Sequence, residues 1–301
     1  ASIEHPGSVC LVACPGSGKT RTLTYKIARL RSLLKSDKKR VVAITYTHRA
    51  ADEIHERIEQ LGVDTVQLWI GTIHSFCLEW ILKPYGIYHP ALQHGFRVIN
   101  THDTERMLED LCSAVQGIKL TSFDCGYYFK PSGYVLTSIK SDKHEAIKGV
   151  LRAYWRTLRA HRQVDFELIL FYAYQLIDKN PSISVLLGSI FECVLVDEFQ
   201  DTREIQYAIL ASILKASKGQ ASAFVVGDPN QAIYGSLGGY AITAADFGRQ
   251  CGIAFKEMNL SDNYRSSSRI VSYFCNYNVL PVKIEAVGKD KNYASVVSFA
   301  Q

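Results

Sequence analysis

Residues 9–20 read VCLVACPGSGKT, and this stretch decides the fold of the chain. It begins with a short apolar run typical of a buried strand and continues as a loop of small residues. The residues that follow predict a helix, because apolar side chains recur at helical spacing at Leu23, Ile27, Leu30 and Leu34. A strand, a glycine-rich loop and a helix therefore follow one another directly.

This loop has the chemistry of a phosphate-binding site. The closely spaced anionic oxygens of a nucleoside triphosphate are bound where backbone N–H groups converge and the positive end of a helix dipole faces them. Lys19 would reach the β and γ phosphates, and the Thr20 hydroxyl would coordinate Mg²⁺. Ala13 stands where the strict pattern has glycine. The residues expected to bind ATP are Cys14, Pro15, Gly16, Ser17, Gly18, Lys19, Thr20 and Arg21.

A second motif, Asp-Glu-Phe-Gln-Asp at residues 197–201, follows a Val/Leu run. Parallel sheets deliver catalytic groups from the C-terminal ends of their strands. Asp197 would hold Mg²⁺ through its water shell, and Glu198 would polarise the water that attacks the γ phosphate. Most acidic pairs lie in solvated loops, but the buried strand and the phosphate loop favour the catalytic interpretation.

The order of elements predicts an α/β protein with a parallel sheet. Five β-rich runs alternate with helical or loop segments, at residues 9–13, 41–45, 66–70, 193–196 and 224–226. Between about residues 77 and 164 the pattern is helical, interrupted by an aromatic stretch at 123–134. We therefore expect a mostly helical insertion between two halves of one sheet domain.

Composition narrows the class of protein without identifying a partner. Hydrophobic residues make up 47% and charged residues 21% of the 301 residues, as in ordinary globular proteins. The net charge of +5 is compatible with a polyanionic partner but does not require one. The eight cysteines form no CxxC pair, which favours buried thiols in a reducing cytosol over a zinc site. No leader or membrane span is indicated, so we expect a cytoplasmic protein, and the missing initial Met favours a trimmed fragment.

With these motifs in place, the chain resembles the UvrD/Rep/PcrA-like superfamily 1 DNA helicases along nearly all of its length. Six segments carry the resemblance: AITYTHRAA at 43–51, GTIHSF at 71–76, VDF at 164–166, DEFQD at 197–201, GDPNQAIY at 227–234 and NYRS at 263–266. Each is short, but their order and the position of the insertion make the match specific.

The resemblance implies roles for particular residues. Gln231 and Arg265 would contact the γ phosphate, Tyr264 would stack on adenine, and Tyr234 would stack on a DNA base. Single-stranded DNA needs rings for its bases and cations or hydroxyls for its phosphates. The candidates are Tyr46, Phe76 and Tyr234 for stacking, and Thr47, His48, Arg49, Thr72 and His74 for the phosphates.

The resemblance also implies a domain organisation. A RecA-like P-loop NTPase domain would comprise residues 1–76 and 165–252, with the helical subdomain at 77–164 and an incomplete second RecA-like domain at 253–301. The family's upstream adenine-contacting Gln and the later arginine motif are not in the chain. Because a missing arginine finger costs about 10³ to 10⁵ in turnover, we expect this portion to bind nucleotide, hydrolyse it poorly and not unwind DNA.

One segment departs from the family pattern, and alternatives to a motor stay open. Ser236 and Leu237 stand where the family commonly has Trp-Arg, which predicts a weaker or differently organised grip on bases. The leading hypothesis is an ATP-dependent translocase or helicase on single-stranded or 3′-tailed DNA, with 3′ to 5′ polarity and, in a bacterium, nucleoid association. The alternatives are an ATP-switched scaffold of a repair or phage-defence nuclease complex, and a P-loop NTPase acting on a small molecule.

Overall fold

The computed structural model describes residues 1–232, 239, 242–278, 283–289 and 291–292. Its strands are β1 (Val9–Ala13), β2 (Arg40–Thr45), β3 (Leu68–Thr72), β4 (Arg97–Val98), β5 (Tyr127–Lys130), β6 (Gly133–Leu136), β7 (Gln163–Val164), β8 (Phe191–Asp197), β9 (Ser222–Gly227), β10 (Lys256–Leu260), β11 (Asp262–Asn263) and β12 (Glu285–Ala286). Its helices are α1 (Lys19–Leu33), α2 (His48–Gln60), α3 (Ile73–Phe76), α4 (Lys83–Tyr85), α5 (Thr101–Ser113), α6 (His144–Ala160), α7 (Phe166–Lys179), α8 (Pro181–Ile190), α9 (Glu204–Ala216), α10 (Ala244–Cys251) and α11 (Ser268–Cys275). A π-helical stretch, Cys77–Leu82, joins α3 to α4.

Six strands form one sheet in the order β10-β1-β9-β8-β2-β3. Every neighbouring pair is parallel, which confirms the predicted α/β class with a parallel sheet. The C-terminal ends of all six strands therefore lie at one edge of the sheet, here called the carboxyl edge. The strand that precedes the glycine loop, β1, lies between β9 and β10.

Both faces of the sheet are buried, because helices cover each of them. Cys193 and Leu195 of β8 pack with Ile27 of α1 on one face. Val194 and Val196, which alternate with them along the strand, pack on the other face in a cluster that includes residues of α7, α8 and α9. Strands covered on both faces are nearly continuous apolar runs, and such runs in the sequence predicted most of the strands of this sheet.

The insertion is helical at Cys77–Leu82, α5 and α6, but its aromatic stretch contains an antiparallel hairpin, β5–β6. Asp165 ties this hairpin to two helices. The Tyr127 and Tyr154 hydroxyls donate to Asp165 Oδ2 at 2.9 and 2.8 Å, and the Leu168 N–H donates to Oδ1 at 2.8 Å. Tyr154 belongs to the same buried cluster as Val194 of the sheet, so the insertion shares the core of the sheet.

The sheet extends beyond residue 252, where the sequence interpretation ended the first RecA-like domain. β10 pairs with β1 over its whole length, from Val9 opposite Lys256 to Ala13 opposite Leu260. This strand reads KEMNL and is half exposed at the edge of the sheet, so it lacks the apolar run that revealed the others. The rest of the domain division stays a prediction.

Two expectations from composition concern cysteines and membranes. All eight cysteines are free, and all except Cys275 are buried. Within the described ranges no group of three or more His, Cys, Asp or Glu side chains is placed to hold a metal ion. No helix in that part of the chain has the length and apolarity needed to cross a bilayer.

Candidate nucleotide and nucleic-acid site

Every strand of the sheet delivers predicted site residues to the carboxyl edge. The glycine loop follows β1, residues 46–49 follow β2, and residues 73–76 follow Thr72 at the end of β3. Asp197 ends β8 and Glu198 comes directly after it. Residues 228–231 follow β9, and residues 264 and 265 follow β10 after the short strand β11. Parallel strands therefore place residues that are far apart in the sequence along one edge.

The glycine loop has the geometry of an anion site. Gly16 and Gly18 have φ values of 71° and 85°, a region that suits glycine because it has no Cβ. The Ser17 hydroxyl donates to the Cys14 carbonyl at 2.7 Å and closes the turn. No described side chain caps the α1 N-terminus at Gly18, and the first turn holds no acidic residue. The helix therefore offers uncapped N–H groups and its positive end to an anion.

The acidic end of β8 faces this loop. Glu198 lies in the left-handed region at φ 50°, and its Oε2 lies 3.8 Å from Lys19 Nζ. Asp197 is 7% exposed, and burial, followed by the neighbouring Glu198, raises its pKa to about 7. A divalent cation would favour the ionised form. One carboxylate and the Thr20 hydroxyl fit Mg²⁺, which keeps several waters and takes phosphate oxygens as its other ligands.

Gln200 links the acidic end of β8 to the loop after β9, a role that its motif did not predict. Its Nε2 donates to Glu198 Oε2 at 2.8 Å and to Asp201 Oδ2 at 3.3 Å. Its Oε1 accepts from the Asp228 N–H at 2.9 Å. Gln200 is 2% exposed, and a Cβ added to Gly227 would lie 2.2 Å from its Oε1. The amide therefore fills a space that only glycine leaves open.

The predicted γ-phosphate sensor lies in a turn built around Asp228. Gln231 donates from Nε2 to Asp228 Oδ2 at 2.8 Å, and the Asn230 N–H donates to Oδ1 at 3.0 Å. Burial raises the pKa of Asp228. The predicted base platform Tyr234 and the divergent pair Ser236 and Leu237 lie outside the described residues.

A cleft of about 420 Å³ separates the glycine loop from the end of β10. Arg21 and Tyr264, both predicted to bind the nucleotide, line this cleft. Tyr264 is 61% exposed, so its ring is available to a flat ligand, and the exposed Arg265 follows it directly. The cleft therefore places the two residues where a base bound beyond the phosphate loop could contact them.

The residues predicted to contact DNA differ in accessibility. Tyr46 is 45% exposed, and Thr47, His48 and Arg49 are exposed beside it. The Thr47 hydroxyl also caps α2 by accepting from the Ala50 N–H at 3.1 Å. A cleft of about 210 Å³ is lined by Tyr46, the buried Asp197 and several other residues. The exposed segment after β2 therefore lies close to the acidic end of β8.

The prediction of a base-stacking role for Phe76 is wrong. This ring is 0% exposed and packs in the core, with its centroid 5.7 Å from that of Trp69 and 5.8 Å from that of Phe191. Thr72 is also buried, and its hydroxyl accepts from the Ser75 N–H at 3.3 Å. The turn from the end of β3 into α3 buries both side chains, which a linear motif does not reveal.

His74 does not suit the predicted role of a phosphate-binding cation. Burial, followed by the charges of Arg203 and His48, lowers its pKa to about 4. Its ring meets the edge of Phe166 at 5.5 Å. Phe166 is 43% exposed and offers an accessible ring that was not among the predicted DNA contacts, although the VDF segment contains it.

The pKa of His74 predicts a pH-dependent contribution to stability. Because the folded-state pKa of about 4 lies below the ordinary value of 6.5, the unfolded chain binds a proton that the folded chain excludes. The contribution is fully present above about pH 6.5 and is lost as the pH falls towards 4, by at most about 3 kcal/mol. Chemical unfolding of His74→Gln should show a correspondingly flatter pH profile. The exposed His102 provides the matched control, and His102→Gln should follow the wild-type curve; identical profiles for His74→Gln and wild type would contradict this prediction.

Comparison with known proteins identifies the family. The family model for the UvrD/REP helicase N-terminal domain matches residues 1–250. The chain belongs to the UvrD/REP helicase family. This UvrD/REP assignment covers the whole glycine loop, the insertion, the acidic end of β8 and the turn after β9, and ends before β10. The family resemblance inferred from six short segments is thereby confirmed.

Individual relatives of this UvrD/REP chain are much longer proteins. It is 31% identical over 285 residues to the "Probable DNA helicase II homolog" of Mycoplasma capricolum, covering 90% of this chain and 38% of that protein. It is 28% identical to the "ATP-dependent DNA helicase SRS2" of Saccharomyces cerevisiae, over 90% of this chain and 26% of that protein. It is also 28% identical to the "ATP-dependent DNA helicase PcrA" of Staphylococcus aureus, over 88% of this chain and 37% of that protein. The chain therefore spans about a quarter to two fifths of these relatives.

Proposed function

We propose that this chain is the ATP-binding portion of an ATP-dependent DNA translocase or helicase that grips single-stranded DNA. One observation carries the proposal: a single sheet edge bears both the phosphate loop with its acidic partner and the exposed segment after β2. Asp197 and Tyr46 line the same cleft there. The names of the relatives, which include ATP-dependent DNA helicases, support DNA as the substrate.

The residues of the nucleotide site divide the chemistry between them. Lys19 and the N–H groups at the start of α1 bind the phosphates. Thr20 and Asp197 would hold Mg²⁺, which would neutralise charge on the phosphate oxygens. Glu198 orients the attacking water and accepts its proton. The water oxygen forms a bond to the γ phosphorus while the bond to the β–γ bridging oxygen breaks, and the leaving group is ADP. Gln231 and Arg265 contact the γ phosphate.

Coupling between nucleotide and strand would pass through the acidic end of β8. Gln200 connects Glu198 to the Asp228 turn that holds Gln231. Loss of the γ phosphate would therefore affect the ends of β8 and β9 together. The exposed segment at 46–49 and the ring of Phe166 would hold the strand. A motor of this kind would move 3′ to 5′ on single-stranded or 3′-tailed DNA and work in the cytoplasm, at the nucleoid in a bacterium.

DNA binding by the full-length protein tests this proposal. Tyr46→Ala should weaken binding of a labelled single-stranded oligonucleotide by about 1 to 3 kcal/mol, the usual contribution of one stacked base. Fluorescence anisotropy without nucleotide measures the change. Tyr25, on α1 and 41% exposed, provides the control, and Tyr25→Ala should leave affinity unchanged. Wild-type protein that binds no single-stranded DNA would exclude a motor and favour the small-molecule NTPase. Turnover only in the presence of a protein partner would favour the scaffold subunit.

A further inference from the structure

Asn263, in β11 of the segment after β10, is wholly buried and contacts the glycine loop. It is 0% exposed, and its Nδ2 donates to the Pro15 carbonyl at 2.8 Å. Its Oδ1 accepts from the Arg265 N–H at 2.9 Å and from the Ser266 N–H at 2.8 Å. Both ends of one amide are therefore used, one on the phosphate loop and one on the backbone that carries Arg265.

Two further contacts hold the same pair of segments together. The Tyr264 N–H donates to the Gly16 carbonyl at 3.0 Å. A Cβ added to Gly16 would lie 2.7 Å from Arg265 Cβ and 3.0 Å from Asn263 Oδ1. The backbone of the phosphate loop therefore approaches the segment after β10 so closely that only glycine fits at position 16. The Cβ of Arg265 lies against the phosphate loop at this point.

We propose that Asn263 is a positioning residue that fixes Arg265 against the phosphate loop, and that this placement lets the site distinguish ATP from ADP. The proposal rests on the function proposed above. Arg265 is exposed and is not anchored by an ion pair to any other described residue. The position of its backbone is therefore what directs its guanidinium towards the third phosphate.

The two functional groups of the amide can be separated by substitution. Asn263→Asp keeps an oxygen for the Arg265 and Ser266 N–H groups but loses the donor to Pro15, and it sets a carboxylate against a carbonyl oxygen. The segment should then move away from the loop. Tyr264 would move with the segment, which weakens adenine stacking for ADP and ATP alike, whereas displacement of Arg265 affects only the triphosphate. Affinity for the ATP analogue should therefore fall more than affinity for ADP.

The test measures equilibrium binding of ADP and of a non-hydrolysable ATP analogue, both with Mg²⁺, to the full-length protein. The dissociation constant for ADP divided by that for the ATP analogue measures the preference for the triphosphate. This ratio should fall by about tenfold in Asn263→Asp, the equivalent of one hydrogen bond to a charged group. Arg265→Ala should lower the ratio similarly, and the double variant should lower it no further than Arg265→Ala alone. Asn276 lies exposed at the end of α11, and Asn276→Asp is the matched control that should leave the ratio unchanged.

The outcomes separate this proposal from the function on which it rests. Wild-type protein that binds neither nucleotide overturns both. An unchanged ratio in Asn263→Asp, with a reduced ratio in Arg265→Ala, overturns the positioning role alone, and so does a fully additive double variant. If thermal unfolding shows that Asn263→Asp does not fold, Asn263→Ser replaces it. The shorter serine side chain also loses the hydrogen bond to the Pro15 carbonyl but adds no charge, and the same fall in the ratio is expected.

Discussion

Glu198→Gln is expected to lower the DNA-stimulated ATP turnover of the full-length protein by about 10²- to 10⁴-fold, the usual contribution of a general base. The amide keeps the size of the side chain but cannot accept the proton of the attacking water. Lys19 and the uncapped start of α1 remain, so binding of the ATP analogue should change far less than turnover. A steady-state phosphate-release assay with and without single-stranded DNA measures the effect.

The same strand supplies a control for this prediction. Glu192 lies at the opposite end of β8, where its carboxylate is 3.9 Å from Lys39 Nζ and half exposed, so Glu192→Gln should leave turnover unchanged. Equal turnover in Glu198→Gln and wild type would mean that another group activates the water. Wild-type turnover that DNA does not change would instead favour the ATP-switched scaffold, with Ser236 and Leu237 as the next residues to substitute.

Gln200→Met is expected to reduce turnover by about 10²-fold, the loss that a misplacement of roughly 1 Å can cause. The substitution keeps an unbranched side chain of similar length but removes the donor to Glu198 and leaves the buried Asp228 N–H without its acceptor. The second change should also lower the free energy of unfolding by about 1 to 3 kcal/mol. Single-turnover kinetics at saturating ATP, together with chemical unfolding, separates the catalytic loss from the loss of stability.

The exposed Gln220, in the turn before β9, is the matched control for Gln200. Gln220→Met should keep wild-type turnover and stability. If Gln200→Met lost stability but kept turnover, the amide would serve only to pack the two loops, and the proposed link between Glu198 and the Gln231 turn would be wrong.

The parts of the fold that the sequence predicted share a physical cause. Strands buried on both faces must be apolar throughout, so most of the sheet was visible as short runs. β10 was not predicted, because an edge strand that is half exposed needs no apolar run. The β5–β6 hairpin was not predicted either, because its aromatic residues pack on the core of the insertion and no Asn-Gly or Asp-Gly turn marks it.

For the candidate site, the sequence predicted residue types better than side-chain directions. The glycine loop and the acidic pair lie where their order along the chain placed them, because the ends of parallel strands converge on one edge. Phe76 shows the limit of a linear motif, since one turn of α3 carries its ring into the core. Asn263 and Gln200 show another limit, because their roles depend on backbone groups that are distant in sequence.

The position of β1 in the sheet has a consequence for how the protein is made. Both of its hydrogen-bonded neighbours, β9 and β10, begin more than 200 residues later, at Ser222 and Lys256. At the usual speed of translation these partners emerge on the order of ten seconds or more after β1. Throughout that interval the apolar strand and the glycine loop have no partner strand within the nascent chain, and closing so distant a pairing makes folding slow. The nucleotide site is therefore among the last parts of these residues to assemble during synthesis, and a nascent chain truncated before residue 222 would carry β1 as an unpaired, aggregation-prone strand.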